Sequence, residues 1–128
     1  MIYTYDKELA DAVQAEILHN MAFADLKDCR IAVLYCEQDK KRNGMTVYAD
    51  TKKLSDMHSY ISGYDFVITF YEKSSYMSEA VLKVLIEHEL RHIGIESRGG
   101  AVRWYIIPHD VQDFREIIEA HGINWALK

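Results

Sequence analysis

Residues 88–92 read His-Glu-Leu-Arg-His, two imidazoles four positions apart with a carboxylate beside the first. On a helix, residues four apart are neighbours with Cβ atoms about 5–6 Å apart, so His88 and His92 can converge on one ion with metal–nitrogen bonds of roughly 2.0–2.1 Å. Glu89 is turned from His88 by one residue step. That sets its carboxylate at the flank of the metal rather than on it, where it can take a proton from a coordinated water. Zinc lowers the pKa of such a water toward about 7, and the chemistry this pattern serves on a helix is metal-assisted peptide hydrolysis. The plainer account is that a His on an apolar helix face is a satisfied core side chain, with Glu89 and Arg91 facing solvent. The helical context of the motif and a further candidate ligand downstream favour the metal.

A catalytic zinc takes three protein ligands and keeps one position open. His109 is the candidate for the third, because it follows Pro108 at an element boundary and leaves enough chain after His92 for a strand and its return. Glu96, Asp113 and Glu116 compete for the same role. Asp110 or Asp113 can fix the tautomer of a ligand imidazole, although helix capping explains both equally well. Ile95 and Arg98 stand where a metzincin carries Gly and His, which excludes that class. His19, His58 and His121 have no comparable partners. Tyr105, Arg103 and Tyr76 are the candidates for steadying an oxyanion.

Around the motif, Ala80, Val81, Val84, Leu85, His88 and His92 share one face of a helix expected over about residues 79–93, with Ser74 to Ser78 supplying its N-cap and Gly94 its stop. The strand-like run at 65–71, Asp-Phe-Val-Ile-Thr-Phe-Tyr, immediately precedes it. Earlier in the chain, Leu9, Ala10, Val13, Ile17, Leu18 and Met21 recur at helical spacing over 6–21. The apolar run 30–36 reads as a strand, joined through an Asn43-Gly44 turn to a second strand over 45–49. Residues 50–63 fit a short helix or a packed loop. After Gly99-Gly100, residues 101–107 read as a strand ended by Pro108, and 111–121 as a last helix with Val111, Phe114, Ile117 and Ile118 on its apolar face and Gly122 closing it. Strands interleaved with helices around one hairpin predict an α+β fold with a mixed sheet.

At 128 residues the chain has the length of one domain, here taken as 1–128, and it is long enough to bury a core unaided. Hydrophobic residues at 49%, one proline and six glycines describe a folded globular chain rather than a disordered one. Twenty acidic against fifteen basic side chains give a net charge of −5, the wrong sign for a protein that holds nucleic acid by neutralising phosphates. The basic run Lys40-Lys41-Arg42 lacks interleaved aromatics and reads as a solvated turn. No apolar stretch is long enough for a membrane span, and 1–6 lack the features of a signal peptide, so the cytoplasm is the expected compartment. Cys29 and Cys36 fall in a strand-like segment too far apart for a disulfide, and are expected to be reduced and buried.

With these residues in hand, the chain resembles the putative phage metallopeptidase family, small zincin-like domains of phage and prophage genomes. The resemblance rests on Gly-Tyr-Asp-Phe-Val-Ile at 63–68, Glu-His-Glu-Leu-Arg-His-Ile-Gly at 87–94, and Pro-His-Asp-Val-Gln-Asp-Phe at 108–114 followed by Ile-Ile and Gly122. It implies a minimal zincin fold, one zinc per chain held by His88, His92 and His109, and peptidase activity on a peptide or protein substrate in the bacterial host. An extended peptide is expected along a sheet edge beside Phe66 to Tyr71, through main-chain hydrogen bonds. The alternative is a catalytically inactive zinc-containing protein that binds a host or phage regulator.

Overall fold

The structure is a computed structural model and describes residues 2–108. His109, Asp110, Asp113, Glu116, His121 and the helix expected at 111–121 lie outside the described residues.

Strand β1 (Tyr3–Tyr5) leads into helix α1 (Lys7–His19). Asp6 caps this helix, its side chain accepting from the Leu9 N–H at 2.9 Å and so satisfying one of the orphan donors of the first turn. Two longer strands follow at a distance in sequence, β2 (Ile31–Cys36) and β6 (Phe66–Tyr71), and they pair in parallel with Ile31 opposite Phe66 and Cys36 opposite Tyr71. Both are apolar almost throughout, as strands covered on both faces must be. The polar strand β5 (Ala49–Lys53) runs antiparallel to β6, and β1 runs antiparallel to β2. The sheet order is β1-β2-β6-β5, so among the described residues β5 is an outer strand.

One face of the sheet presents Phe66, Ile68 and Phe70, which share a core cluster with Val13 and Ile17 of α1 and with Val81, Leu85 and Leu90 of helix α3 (Glu79–Leu90). Each such side chain contributes about 1.5–3 kcal/mol when fully buried. Alternation sends Tyr71 to the other face, where it forms a smaller cluster with Cys36 and Val47. Short strands β3 (Lys40–Arg42) and β4 (Met45–Val47) form a separate hairpin, as do β7 (Ile93–Arg98) and β8 (Ala101–Ile106). Both turns take two residues at positive φ, Asn43 and Gly44 in one and Gly99 and Gly100 in the other, the conformation that matches strand twist in a two-residue hairpin. The architecture is mixed α+β. No helix among the described residues is long and apolar enough to cross a membrane.

Several sequence expectations change in detail. The Asn43-Gly44 turn joins its own flanks, β3 and β4, rather than β2 to 45–49, because β2 ends at Cys36 and spends its pairing on β6 and β1. Lys40 is not a solvated turn residue: its ammonium lies 2.6 Å from Asp50 Oδ2 with the side chain only 21% exposed. The undecided stretch 50–63 divides into β5 and helix α2 (Asp56–Ser62), which Gly63 terminates at φ 80°. Residues 66–71 are an inner strand and not a sheet edge. Cys29 and Cys36 are both free and buried, as expected.

Candidate metal centre

Helix α3 begins at Ser78, whose side chain accepts from the Val81 N–H at 3.3 Å, with Glu79 favourably placed in its first turn. Val81, Leu85, Ile86 and Leu90 are buried and fix the rotation of the helix on the sheet. It ends at Leu90, three residues earlier than its periodicity suggests, because Ile93 already belongs to the β7–β8 hairpin. The last turn tightens, with the His92 N–H donating to the Glu89 carbonyl at 3.1 Å and the Arg91 N–H to that of Glu87 at 3.1 Å. His88 and Glu89 therefore sit on the helix, while His92 sits in the turn just beyond it.

That turn still brings the imidazoles together. Their centroids are 5.1 Å apart and their planes are nearly perpendicular at 83°. One ring nitrogen from each and a carboxylate oxygen of Glu89 lie within 4.8 Å of one another, and both rings are half-buried. Two nitrogens sharing a small tetrahedral ion at bonds of about 2 Å stand about 3.3 Å apart, a separation inside the 4.8 Å spread of this group. The donor set fits such an ion. His92 Nδ1 is 2.7 Å from the carbonyl oxygen of Ile107, and a carbonyl only accepts, so in the neutral ring Nδ1 carries the proton and Nε2 is the basic nitrogen. The Ile107 N–H donates in turn to the His92 carbonyl at 2.6 Å, clasping the chain that leaves β8 onto the turn.

Glu89 is 3% exposed. Burial pushes its carboxyl up to about 7, with the charge of Asp50 adding to the rise and a hydrogen bond from Thr51 opposing it. The Thr51 hydroxyl lies 2.9 Å from Glu89 Oε1 and 3.3 Å from the Glu89 carbonyl oxygen. Asp50, on the opposite face of β5, receives hydrogen bonds from Lys40 Nζ at 2.6 Å and from Tyr71 OH at 2.8 Å. A carboxylate held at the boundary of protonation beside two imidazoles is equipped to accept and return a proton near neutrality.

The remaining candidates separate clearly. Glu96 faces Arg103 at 3.6 Å on the β7–β8 hairpin and is not part of the His88–Glu89–His92 group. Tyr76 is exposed and donates to Glu72 Oε1 at 3.1 Å. Tyr105 lays its ring over Gly94, where an added Cβ would collide with it; Gly94 is thus a packing glycine within β7 rather than the helix stop its position suggests. His19 and His58 are exposed. Sequence reasoning missed Thr51 and the Ile107 carbonyl. Nothing in a polar stretch such as Ala-Asp-Thr-Lys-Lys distinguishes Thr51 before the sheet order is known, and a main-chain acceptor has no residue type to betray it.

Comparison with curated proteins and with solved structures finds no match. The model of the family described as putative phage metallopeptidase matches residues 2–127, nearly the whole chain, and the protein belongs to that family.

Proposed function

We propose that the protein is a zinc-dependent peptidase in which His88, His92 and His109 hold one zinc ion and Glu89 is the general base. The observation that carries this reading is the convergence of two imidazoles and a buried carboxylate within 4.8 Å in a chain whose family name is that of a metallopeptidase. Zinc, when bound, supplies a Lewis acid that polarises the scissile carbonyl and makes water easier to deprotonate. Glu89 takes the proton from the attacking water and passes it to the departing amine. His92 is oriented for the ion by the Ile107 carbonyl. His109 stands two positions beyond Ile107 in the chain, whose backbone is clasped to His92, and this favours it over Glu96 as third ligand.

The substrate is a peptide or protein segment in extended form. β5 offers the edge for it: among the described residues it is an outer strand of the sheet, and Thr51 links it directly to Glu89. The acidic balance of the chain argues against a nucleic-acid partner, and the cytoplasm of the bacterial host is the compartment we assign. Elemental analysis of the purified protein and of the His88→Ala, His92→Ala and His109→Ala variants tests the ligand set. One zinc per chain in the wild type, lost in each variant, is the expected result. Zinc retained in His109→Ala shifts the third ligand to Asp113 or Glu116, and absence of zinc from the wild type overturns the reading.

A further inference from the structure

We propose that Thr51 is a positioning residue for Glu89, setting the orientation of the carboxylate from strand β5. The inference rests on the peptidase reading above and adds to it a residue outside the helix motif. The Thr51 hydroxyl carries one proton and has two acceptors within reach, Oε1 and the main-chain carbonyl of the same Glu89, at 2.9 and 3.3 Å. The carboxylate is the nearer and, when ionised, the stronger acceptor. This hydrogen bond to the Glu89 carboxylate comes from the sheet rather than from α3 itself. With Oε1 tied to β5, the side chain cannot rotate about its own bonds without breaking it.

A tether positions only if its own anchor is fixed, and β5 is fixed twice. Thr51 lies in register with Ile68 of the inner strand β6, whose side chain is fully buried. On the opposite face, neighbouring Asp50 is gripped by Lys40 Nζ at 2.6 Å and by the OH of Tyr71 at 2.8 Å, and Tyr71 is itself 2% exposed. Successive side chains of a strand point to opposite faces, so these bonds hold the strand from behind while Thr51 reaches forward. The motif helix ends one residue after Glu89, at Leu90. Beyond Glu89 the helix has only the tightened turn at 90–92, and the strand adds to its bracing.

The test compares Thr51→Val, which removes the hydroxyl but keeps the branched shape suited to a strand, with Thr51→Ser, which keeps the hydroxyl. Zinc-loaded proteins are assayed on fluorescein-labelled casein, with zinc content and melting temperature measured alongside. We expect Thr51→Val to lose roughly ten- to hundredfold in kcat with KM and zinc content unchanged, the size appropriate to a hydrogen bond made to a charged group, and Thr51→Ser to recover most of it. A Thr51→Val enzyme within twofold of wild-type kcat overturns the proposal and leaves the peptidase reading standing. Should the wild type not cleave casein, the orientation of Glu89 is read directly by NMR of protein carrying 13C-labelled glutamate, assigned with Glu89→Gln. One rotamer in the wild type that becomes several in Thr51→Val supports the tether, and an unchanged rotamer overturns it.

Discussion

His92 and Ile107 hold each other through two hydrogen bonds, the ring Nδ1 to the Ile107 carbonyl at 2.7 Å and the Ile107 N–H to the His92 carbonyl at 2.6 Å. The relationship fixes a tautomer before any ion arrives, since the carbonyl can only accept. The neutral ring of His92 in metal-free protein should carry its proton on Nδ1. Nitrogen-15 NMR of histidine-labelled protein, assigned with His92→Ala, reads this directly. A proton on Nε2 would contradict it.

Burial of Glu89 has a consequence for metal-free stability. Its carboxyl ionises near 7 in the fold against an ordinary value of 4.5, so the folded state holds the proton that the unfolded chain gives up. Metal-free protein should be most stable below about pH 4.5 as far as this group is concerned, losing stability as the pH rises toward 7 and no more beyond it. Glu89→Gln should remove that slope and stabilise the metal-free protein above neutrality by up to about 3 kcal/mol. Urea unfolding across this range measures it, and parallel curves for the two proteins would refute it.

Asp65 behaves in the opposite sense. Burial alone would raise its carboxyl, but hydrogen bonds and charge from Arg30, with the Ser59 hydroxyl, outweigh it and hold the group below its usual value. The stabilisation is therefore present above about pH 3.9, the unfolded value, and is lost as the pH falls through the depressed folded one. Asp65→Asn should unfold at lower urea than wild type near neutrality, with the gap closing in acid. A gap independent of pH would show that charge is not involved. The Arg30 side chain is 57% exposed, so salt should shrink the effect.

Gly94→Ala should destabilise the β7–β8 hairpin by about 1–2 kcal/mol, because the new Cβ displaces the Tyr105 ring. In the Tyr105→Ala background the same substitution should be nearly neutral. Urea midpoints of the four proteins give the coupling, and additive effects would show that the ring is not the obstacle.

These relationships also show what was readable in the chain beforehand. His88, Glu89 and His92 announce themselves because helical spacing is a local property, and Ser78 with Glu79 marks the start of α3 in the same way. Its end was not legible: Gly94 mimics a helix stop, whereas pairing of Ile93 with Ile106 is what ends it. The apolar runs at 31–36 and 66–71 were legible as strands, but that they pair in parallel, and which strands flank them, depends on contacts distant in sequence. β5 is polar because it is an outer strand, so Thr51 had no pattern to stand out from.

Turnover at matched zinc content tests most directly whether Glu89 works as a base beside a bound zinc ion. Wild type and Glu89→Gln, each carrying one zinc per chain, should be compared on labelled casein. We expect the variant to keep its zinc and lose at least about a hundredfold in kcat, the scale of general-base catalysis. Equal cleavage by the two proteins, or none by the zinc-loaded wild type on casein or on a quenched peptide library, would contradict it.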